Sequence, residues 1–529
     1  MRTPAQFICQ SLRKHYINQT TALTPQQLTI ANLAQTIQME MANGYKILIE
    51  QLASNPSAEL EAQILPIALQ RVIHYYTHII IRCYQLYSMS PKEIWRELHL
   101  VYKHAEKHHL LKQNNIADDY KRALMIAASY PYQWRQTEQD SIYKAAEVWA
   151  PLTTIRNDLP NVSEPGFLVI DFADDKPPMS LSRGVIQFSS SCKVLDVNPI
   201  LERLNKLLKT IEPNELQARI AHANDPEYAV STSILRGLIK EWGTPIARFH
   251  DRTVKQETVR FCTGLIATHY YLNEERAFQS PSASSSTANS SSSTPADDTL
   301  TLTLPSMGVT ESIDFASSGN TEKSASGEST SNYPLYTCTL VNETPDGYGL
   351  RWTNESYPTI QPGEVMAIEK KENDKKIWEI CKIRWVQHQG KNEFRLGVER
   401  MSKTAKGAET LLVPKAGAAQ ILKDGNPAGY YLRCILWGTS ILVPTIPFKK
   451  GSQVLVLEGN NTRPVHIELA ELVDVTGSYK RFEFTSKEVL SEKNESEENI
   501  VAPKEVEPPK SIEPDSNNQD AFDSIWSNL

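Results

Sequence analysis

The 529-residue sequence has no closely spaced cysteines. None of its seven cysteines forms a Cys-x-x-Cys element, which excludes the commonest structural zinc and dithiol motifs. Their odd number and wide spacing do not suggest a disulfide framework, so a reducing compartment fits best. The cysteines are Cys9, Cys83, Cys192, Cys262, Cys338, Cys381 and Cys434.

The sequence also lacks an apolar run long enough to cross a membrane. Its longest apolar stretch, VIHYYTHIIIRCYQLY, is interrupted by His78 and Arg82. The N-terminus, MRTPAQFICQSLRKHY, has no apolar region of the kind found in signal peptides. We therefore expect no membrane span and a cytoplasmic protein.

No segment concentrates positive charge. The net charge is −7, and the tail after Ser486 accounts for it, because that tail holds eleven acidic and four basic residues. Binding to duplex DNA or RNA normally requires a basic block. Nucleic acid is therefore not an expected partner.

Catalytic signatures are absent as well. The sequence contains no G-x-S-x-G element, no phosphate-binding glycine loop and no Cys/His nucleophile pattern. Asp171, Asp174 and Asp175 follow an apolar strand without a glycine-rich loop or a basic partner, and we interpret them as a strand-end turn. His104 and His108 have the spacing of a zinc pair, but a polar helix face explains them better. We predict no catalytic residue, no metal and no cofactor, and hence no enzyme.

What is present begins with a helical segment. Residues 1–150 are poor in glycine, and their apolar residues recur at helical spacing, which predicts an all-α bundle or short array. Ser90, with Pro91 and Glu93, is a plausible cap for one of these helices. Residues 151–240 mix strand-like runs with an amphipathic helix and are predicted to be a connecting region.

Beyond residue 240 the pattern changes to strands. Apolar runs of strand length alternate with turn residues in two blocks, 241–405 and 406–485, which predicts two small antiparallel β domains. The first block is interrupted at 278–333, where residues 280–293 contain nine serines. Low hydrophobicity predicts that this insertion is disordered, as is the acidic tail 486–529.

A dense group of turn-forming residues, NETPDGYG, lies between two of these apolar runs. It contains Asn342, Thr344 and Gly347 in an Asn-x-Thr-x-x-Gly pattern. Taken alone, such a group is ordinary hairpin chemistry. The element RFHDR, much earlier in the chain, places Arg248 and Arg252 directly before the predicted strand TVKQETVRFCTG.

Together these elements, with the late pair Gly397-Val398, resemble the PilZ family of β-barrels. That family has an Arg-x-x-x-Arg element ahead of the first strand and an (Asp/Asn)-x-Ser-x-x-Gly turn, in which Thr344 here replaces the serine. The resemblance implies that the first β block is a PilZ-like antiparallel barrel. With the helical segment and the second β block, the sequence predicts a multidomain α + β protein: an N-terminal all-α module, the PilZ-like barrel and a second small β domain. The second β block retains neither motif.

The resemblance also implies a ligand, cyclic di-GMP. Arginines donate two hydrogen bonds to phosphate and stack on purines, so Arg248 and Arg252 are the expected phosphate and base contacts. Asn342 is expected to pair with a guanine edge and Thr344 with a phosphate or base, while Gly347 permits a close backbone approach. Arg351 adds charge.

Two functions follow as hypotheses. In the first, a cyclic di-GMP-responsive bacterial regulator presents its helical module to protein partners. In the second, a degenerate PilZ-type scaffold binds proteins and no nucleotide. The terminal segment DAFDSIWSNL is a further candidate for partner binding, because a short helix there would bring four apolar residues to one face. These residues are Phe522, Ile525, Trp526 and Leu529.

Overall fold

The fold was analysed in a computed structural model. The structure describes residues 4–17, 23–54, 58–158, 164–181, 189–211, 217–220, 229–243, 251–276, 278, 333–353, 360–372, 375–389, 393–413, 431–458 and 464–486. The predicted Ser-rich insertion falls almost wholly outside these ranges, and the acidic tail falls entirely outside them except for Ser486.

In the described residues, the N-terminal module has six α-helices, and apolar residues of the last five form one core. Large buried side chains such as Trp95, Tyr120 and Trp149 fill the space between them. The helices are α1 (Pro4–Arg13), α2 (Pro25–Ser54), α3 (Ala58–Gln85), α4 (Ile94–Lys107), α5 (Ile116–Ala128) and α6 (Gln136–Trp149).

Helix α4 is capped from a distant part of the chain and not by Ser90. The carboxylate of Asp175 accepts hydrogen bonds from the backbone N–H groups of Trp95 (3.0 Å) and Arg96 (3.1 Å). A carboxylate at a helix N-terminus satisfies free N–H groups and complements the helix dipole. Asp175 therefore caps this helix, a role that the sequence did not predict, and the predicted serine cap is wrong.

The mixed region continues the helical core. Its four-stranded sheet has the order β1-β4-β2-β3, and the ring of Trp242 packs edge-on against Trp149 at 5.8 Å. Apolar residues of both segments form one cluster. The elements are β1 (Thr154–Arg156), β2 (Phe167–Asp171), β3 (Met179–Ser180), β4 (Cys192–Asp196), α7 (Asn198–Thr210), β5 (Gln217–Arg219), β6 (Ala229–Ser231) and α8 (Thr232–Trp242).

The next strands close into an antiparallel barrel in the order β10-β11-β12-β9-β8-β7. Alternate residues point inward, and Phe261, Leu350 and Trp352 belong to the barrel core. The elements are β7 (Thr253–Thr263), α9 (Leu265–Leu272), β8 (Tyr336–Thr344), β9 (Gly347–Thr353), β10 (Val365–Glu372), β11 (Lys375–His388) and β12 (Glu393–Ser402).

A second closed barrel follows in the order β13-β14-β15-β18-β17-β16. Val365 and Ile380 of the first barrel join Ile435, Leu442 and Tyr479 of the second in one buried apolar cluster. The predicted fold class, helices followed by two antiparallel β domains, is confirmed. The strands are β13 (Lys406–Val413), β14 (Leu432–Trp437), β15 (Ser440–Val443), β16 (Gln453–Glu458), β17 (Val465–Val475) and β18 (Lys480–Ser486).

Arg135 connects the helical module to both barrels. Its Nε donates to the carbonyl of Pro362 (3.1 Å), and its Nη2 donates to the hydroxyl of Ser478 (2.7 Å). The end of β11 makes a second connection, because the backbone N–H of His388 donates to the carbonyl of Tyr87 (2.7 Å).

Among the described residues, no helix is both long and apolar enough to span a bilayer. The same ranges contain no group of three or more His, Cys, Asp or Glu side chains placed to hold a metal ion.

Candidate functional site

The Asn-x-Thr-x-x-Gly pattern forms the tight hairpin between β8 and β9. Thr344 pairs with Gly347, and the Thr344 hydroxyl donates to the Gly347 carbonyl (3.3 Å). A Cβ added at residue 347 would lie 2.0 Å from the carbonyl oxygen of Val398 on β12. Glycine is thus required here because two backbones approach closely.

A β-bulge turns Asn342 away from the barrel core. Leu340 is buried inside, but the register shifts between residues 340 and 342, so that Asn342 pairs with Gly349 on the outer face. A Cβ added at residue 349 would lie 2.6 Å from the Asn342 Oδ1 atom. The side chain of Asn342 therefore occupies the space that the missing side chain of Gly349 leaves free.

The pairing continues as one row across the outer surface of the barrel. Val254 of β7 pairs with Asn342, Gly349 pairs with Gly397, and Gly397 pairs with Trp385 of β11. A Cβ at residue 397 would lie 1.9 Å from the Trp385 Nε1 atom, so the indole leans over this glycine. The row therefore contains two glycines, one covered by the Asn342 amide and the other by the Trp385 indole.

The strand that follows Arg252 borders this row. Arg252 directly precedes Thr253, which pairs with Glu343, and Val254 then pairs with Asn342. Val254 is 83% exposed, which leaves an apolar surface next to the amide. The two sequence elements, ninety residues apart, are therefore adjacent at Arg252. Arg248 lies outside the described residues.

Arg351 lies on the same outer face as Gly349, two residues further along β9. It pairs with Thr339 on β8 and with Arg395 on β12.

The four tail residues proposed for partner binding lie outside the described residues: Phe522, Ile525, Trp526 and Leu529.

A polar cleft of about 280 Å3 opens beside the hairpin. Arg400 of β12 donates hydrogen bonds from all three guanidinium nitrogens. Its Nη1 donates to the Pro345 carbonyl (2.7 Å), its Nη2 to Glu343 (3.1 Å) and its Nε to Glu379 (2.9 Å). These bonds hold the hairpin against β12. The cleft is lined by Asp251, Thr253, Lys255, Glu343, Thr344, Pro345 and Arg400.

Tyr348 completes the network around Arg400. Its hydroxyl donates to Glu379, and the Arg400 guanidinium lies 4.7 Å from the centre of its ring. Burial, followed by the hydrogen bond to Glu379, raises the pKa of Tyr348 well above its usual value. The phenol therefore stays protonated at neutral pH and keeps its role as a donor.

Gly349, Trp385 and Arg400 were not predicted from the sequence to lie at this site. Gly349 could have been predicted, since it is the second glycine of DGYG, and Gly397 belongs to the late pair of the family pattern. Neither Trp385 nor Arg400 could have been predicted from the sequence, because the strand register of the closed barrel brings each of them to the site.

A six-stranded antiparallel barrel with the Asn-x-Thr-x-x-Gly hairpin beside the strand that follows Arg252 defines a PilZ-type domain. Residues 167–407 match the family model described as "Cyclic-di-GMP receptor FimW, middle PilZ domain", and residues 1–160 match "Cyclic-di-GMP receptor FimW, N-terminal domain". The chain is a PilZ domain-containing protein, as the resemblance in its sequence indicated.

Similarity to one particular protein extends along the whole chain. The sequence is 27% identical over 568 aligned positions to the cyclic-di-GMP receptor FimW of Pseudomonas aeruginosa PAO1. The alignment covers 100% of this chain and 88% of that relative. No solved structure matches the chain.

Proposed function

We propose that this protein is a bacterial cyclic di-GMP receptor that regulates protein partners and catalyses no reaction. The observation that carries the proposal is the pairing of Val254 with Asn342, because it brings the strand after Arg252 next to the hairpin. The proposal agrees with the names of both matching families and of the Pseudomonas relative.

The outer-face row suits a flat purine bordered by phosphate. The Asn342 amide, which lies over Gly349, offers both a donor and an acceptor to a guanine edge, and the Trp385 indole, which lies over Gly397, offers a flat surface on which a base can stack. Arg252 and Arg351 supply bidentate donors for phosphate oxygens, and their planar cations can also stack on a base. We assign Arg248 the same role as Arg252. Thr344 remains a candidate contact, although its hydroxyl already donates within the hairpin.

Ligand binding would affect the helical module by changing the populations of its alternative arrangements. Strand β11 carries Trp385 at the row and, three residues later, His388, whose N–H binds the Tyr87 carbonyl. A ligand that restrains this strand changes the relative stability of arrangements of the helical module, and partners that prefer one arrangement respond. The scaffold hypothesis has no comparable observation in its favour.

Isothermal titration calorimetry with cyclic di-GMP tests the proposal. The unaltered protein should bind cyclic di-GMP and should bind cyclic di-AMP much more weakly, because adenine lacks the guanine edge. Arg252→Ala should weaken binding at least tenfold, since a charged hydrogen bond contributes about 1.5–3 kcal/mol. Arg236→Ala, an exposed arginine on α8, is the matched control. Absence of binding by the unaltered protein would refute the receptor assignment.

A further inference from the structure

Glu343 places a carboxylate where the proposed function needs an anion-binding surface. It lies between Asn342 and Thr344 and lines the polar cleft, with 29% of its side chain exposed. One carboxylate oxygen accepts a hydrogen bond from Arg400 Nη2 (3.1 Å), and the other lies 4.0 Å from Lys255 Nζ. The carboxylate thus stands between two cations.

The two cations differ in how firmly they are held. Arg400 keeps bonds to the Pro345 carbonyl and to Glu379 whatever Glu343 does, and only 11% of its side chain is exposed. Lys255 lies on β7, three residues after Arg252, and 43% of its side chain is exposed. Arg400 is therefore a fixed donor at the cleft, and Lys255 is an adjustable one.

A carboxylate and a phosphate make the same contacts with these groups. Both accept hydrogen bonds from a guanidinium fork and from an ammonium group. Exchange of one anion for the other leaves neither cation unpaired. While Glu343 stays in place, however, its negative charge repels an approaching phosphate over the few ångströms involved.

We propose that Glu343 is an internal counter-ion that a phosphate of the nucleotide displaces, and that Lys255 and Arg400 are further phosphate-contacting residues. This inference rests on the proposed function and deepens it. Glu343 weakens binding, so it raises the ligand concentration at which the receptor becomes occupied.

Two substitutions with opposite expected effects test the inference. Glu343→Gln keeps the shape and removes the charge, and it should lower the Kd for cyclic di-GMP by about threefold to fivefold, the scale of a partly exposed ion pair. Lys255→Gln should raise the Kd by a similar factor. Glu458→Gln is the matched control, because its carboxylate pairs with Lys406 at 3.8 Å on the second barrel. It should leave the Kd unchanged.

The outcomes separate this inference from the receptor assignment. If the unaltered protein does not bind cyclic di-GMP, both fail. If it binds, but Glu343→Gln binds equally or more weakly while its unfolding temperature is unchanged, the counter-ion role is overturned and the receptor assignment stands. If Glu343→Gln proves unstable, Lys255→Gln decides, and an unchanged Kd in that variant overturns the inference.

Discussion

The side-chain amide of Asn342 occupies the space directly above Gly349: a Cβ at residue 349 would lie only 2.6 Å from the Asn342 Oδ1 atom. The pair exists because a β-bulge shifts the register after Leu340 and brings Asn342 to the outer face. The sequence alone assigns Asn342 to a turn. In the structure its side chain lies on the outer surface of the barrel, where Gly349 leaves space for it.

Replacing Gly349 with alanine tests this arrangement. The added methyl group would displace the amide of Asn342, so the Kd for cyclic di-GMP should rise at least tenfold, while the free energy of unfolding should fall by no more than about 1 kcal/mol. Calorimetry and urea unfolding measure the two quantities. Gly44→Ala is the control, because nothing lies within 4 Å of the added atom in α2. Unchanged affinity in Gly349→Ala would show that the position of Asn342 does not matter.

Gly347→Ala should act on stability instead. The obstacle here is the backbone carbonyl of Val398 at 2.0 Å, which cannot rotate away as the Asn342 side chain can. We expect the free energy of unfolding to fall by about 1–3 kcal/mol, more than in Gly349→Ala. Urea unfolding of both variants measures the difference. Equal losses would contradict the distinction between backbone and side-chain obstacles.

Arg135→Ala should loosen the helical module from the barrels. It removes donors to the Pro362 carbonyl and to Ser478, and it leaves Glu364 without an ion-pair partner 3.4 Å away. The expected loss is about 2–4 kcal/mol, because buried acceptors lose their donors. Hydrogen exchange should increase at the amides of Gly363 and Glu364 and at residues 476–479. Lys144→Ala, in an exposed pair with Asp140, should have almost no effect.

Because Glu364 is buried, the loss of stability in Arg135→Ala should depend on pH. Burial raises the pKa of this carboxyl, whereas Arg135 lowers it. Because the folded-state pKa lies above the unfolded value, ionisation of Glu364 opposes folding as the pH rises. Without Arg135 the opposition is greater, so the destabilisation should be larger at pH 7 than at pH 4.5. Equal destabilisation at both pH values would contradict this role for Glu364.

His269 should make the contact between the barrels sensitive to acid. Its Nε2 atom lies 3.0 Å from the carbonyl oxygen of Ala408, and burial lowers its pKa from 6.5 to about 4. Since the folded state favours the neutral ring, stability should be fully present above pH 6.5 and fall by about 3 kcal/mol as the pH approaches 4. Urea unfolding from pH 7 to pH 4 measures this loss of stability. In His269→Gln the free energy of unfolding should fall less steeply with decreasing pH. An equally steep fall in that variant would show that His269 does not cause the acid sensitivity.

The sequence predicted more of the fold than of the site. Alternating strands, the hairpin at 342–347 and the arginine ahead of β7 were visible because they depend on local spacing. The bulges that turn Asn342 and Trp385 outward were not, because barrel closure sets the register. Long-range contacts could not be predicted from local spacing either. Asp175 caps α4 from about eighty residues away, and Arg400 contacts the hairpin from β12.

The central claim is that the strand after Arg252 and the hairpin of Asn342 form one binding site. Hydrogen exchange with and without saturating cyclic di-GMP tests it most directly. We predict that peptides covering residues 251–256 and 340–350 both become protected, at the same ligand concentration. Binding of cyclic di-GMP that protects only one of the two segments, or neither, would contradict the claim.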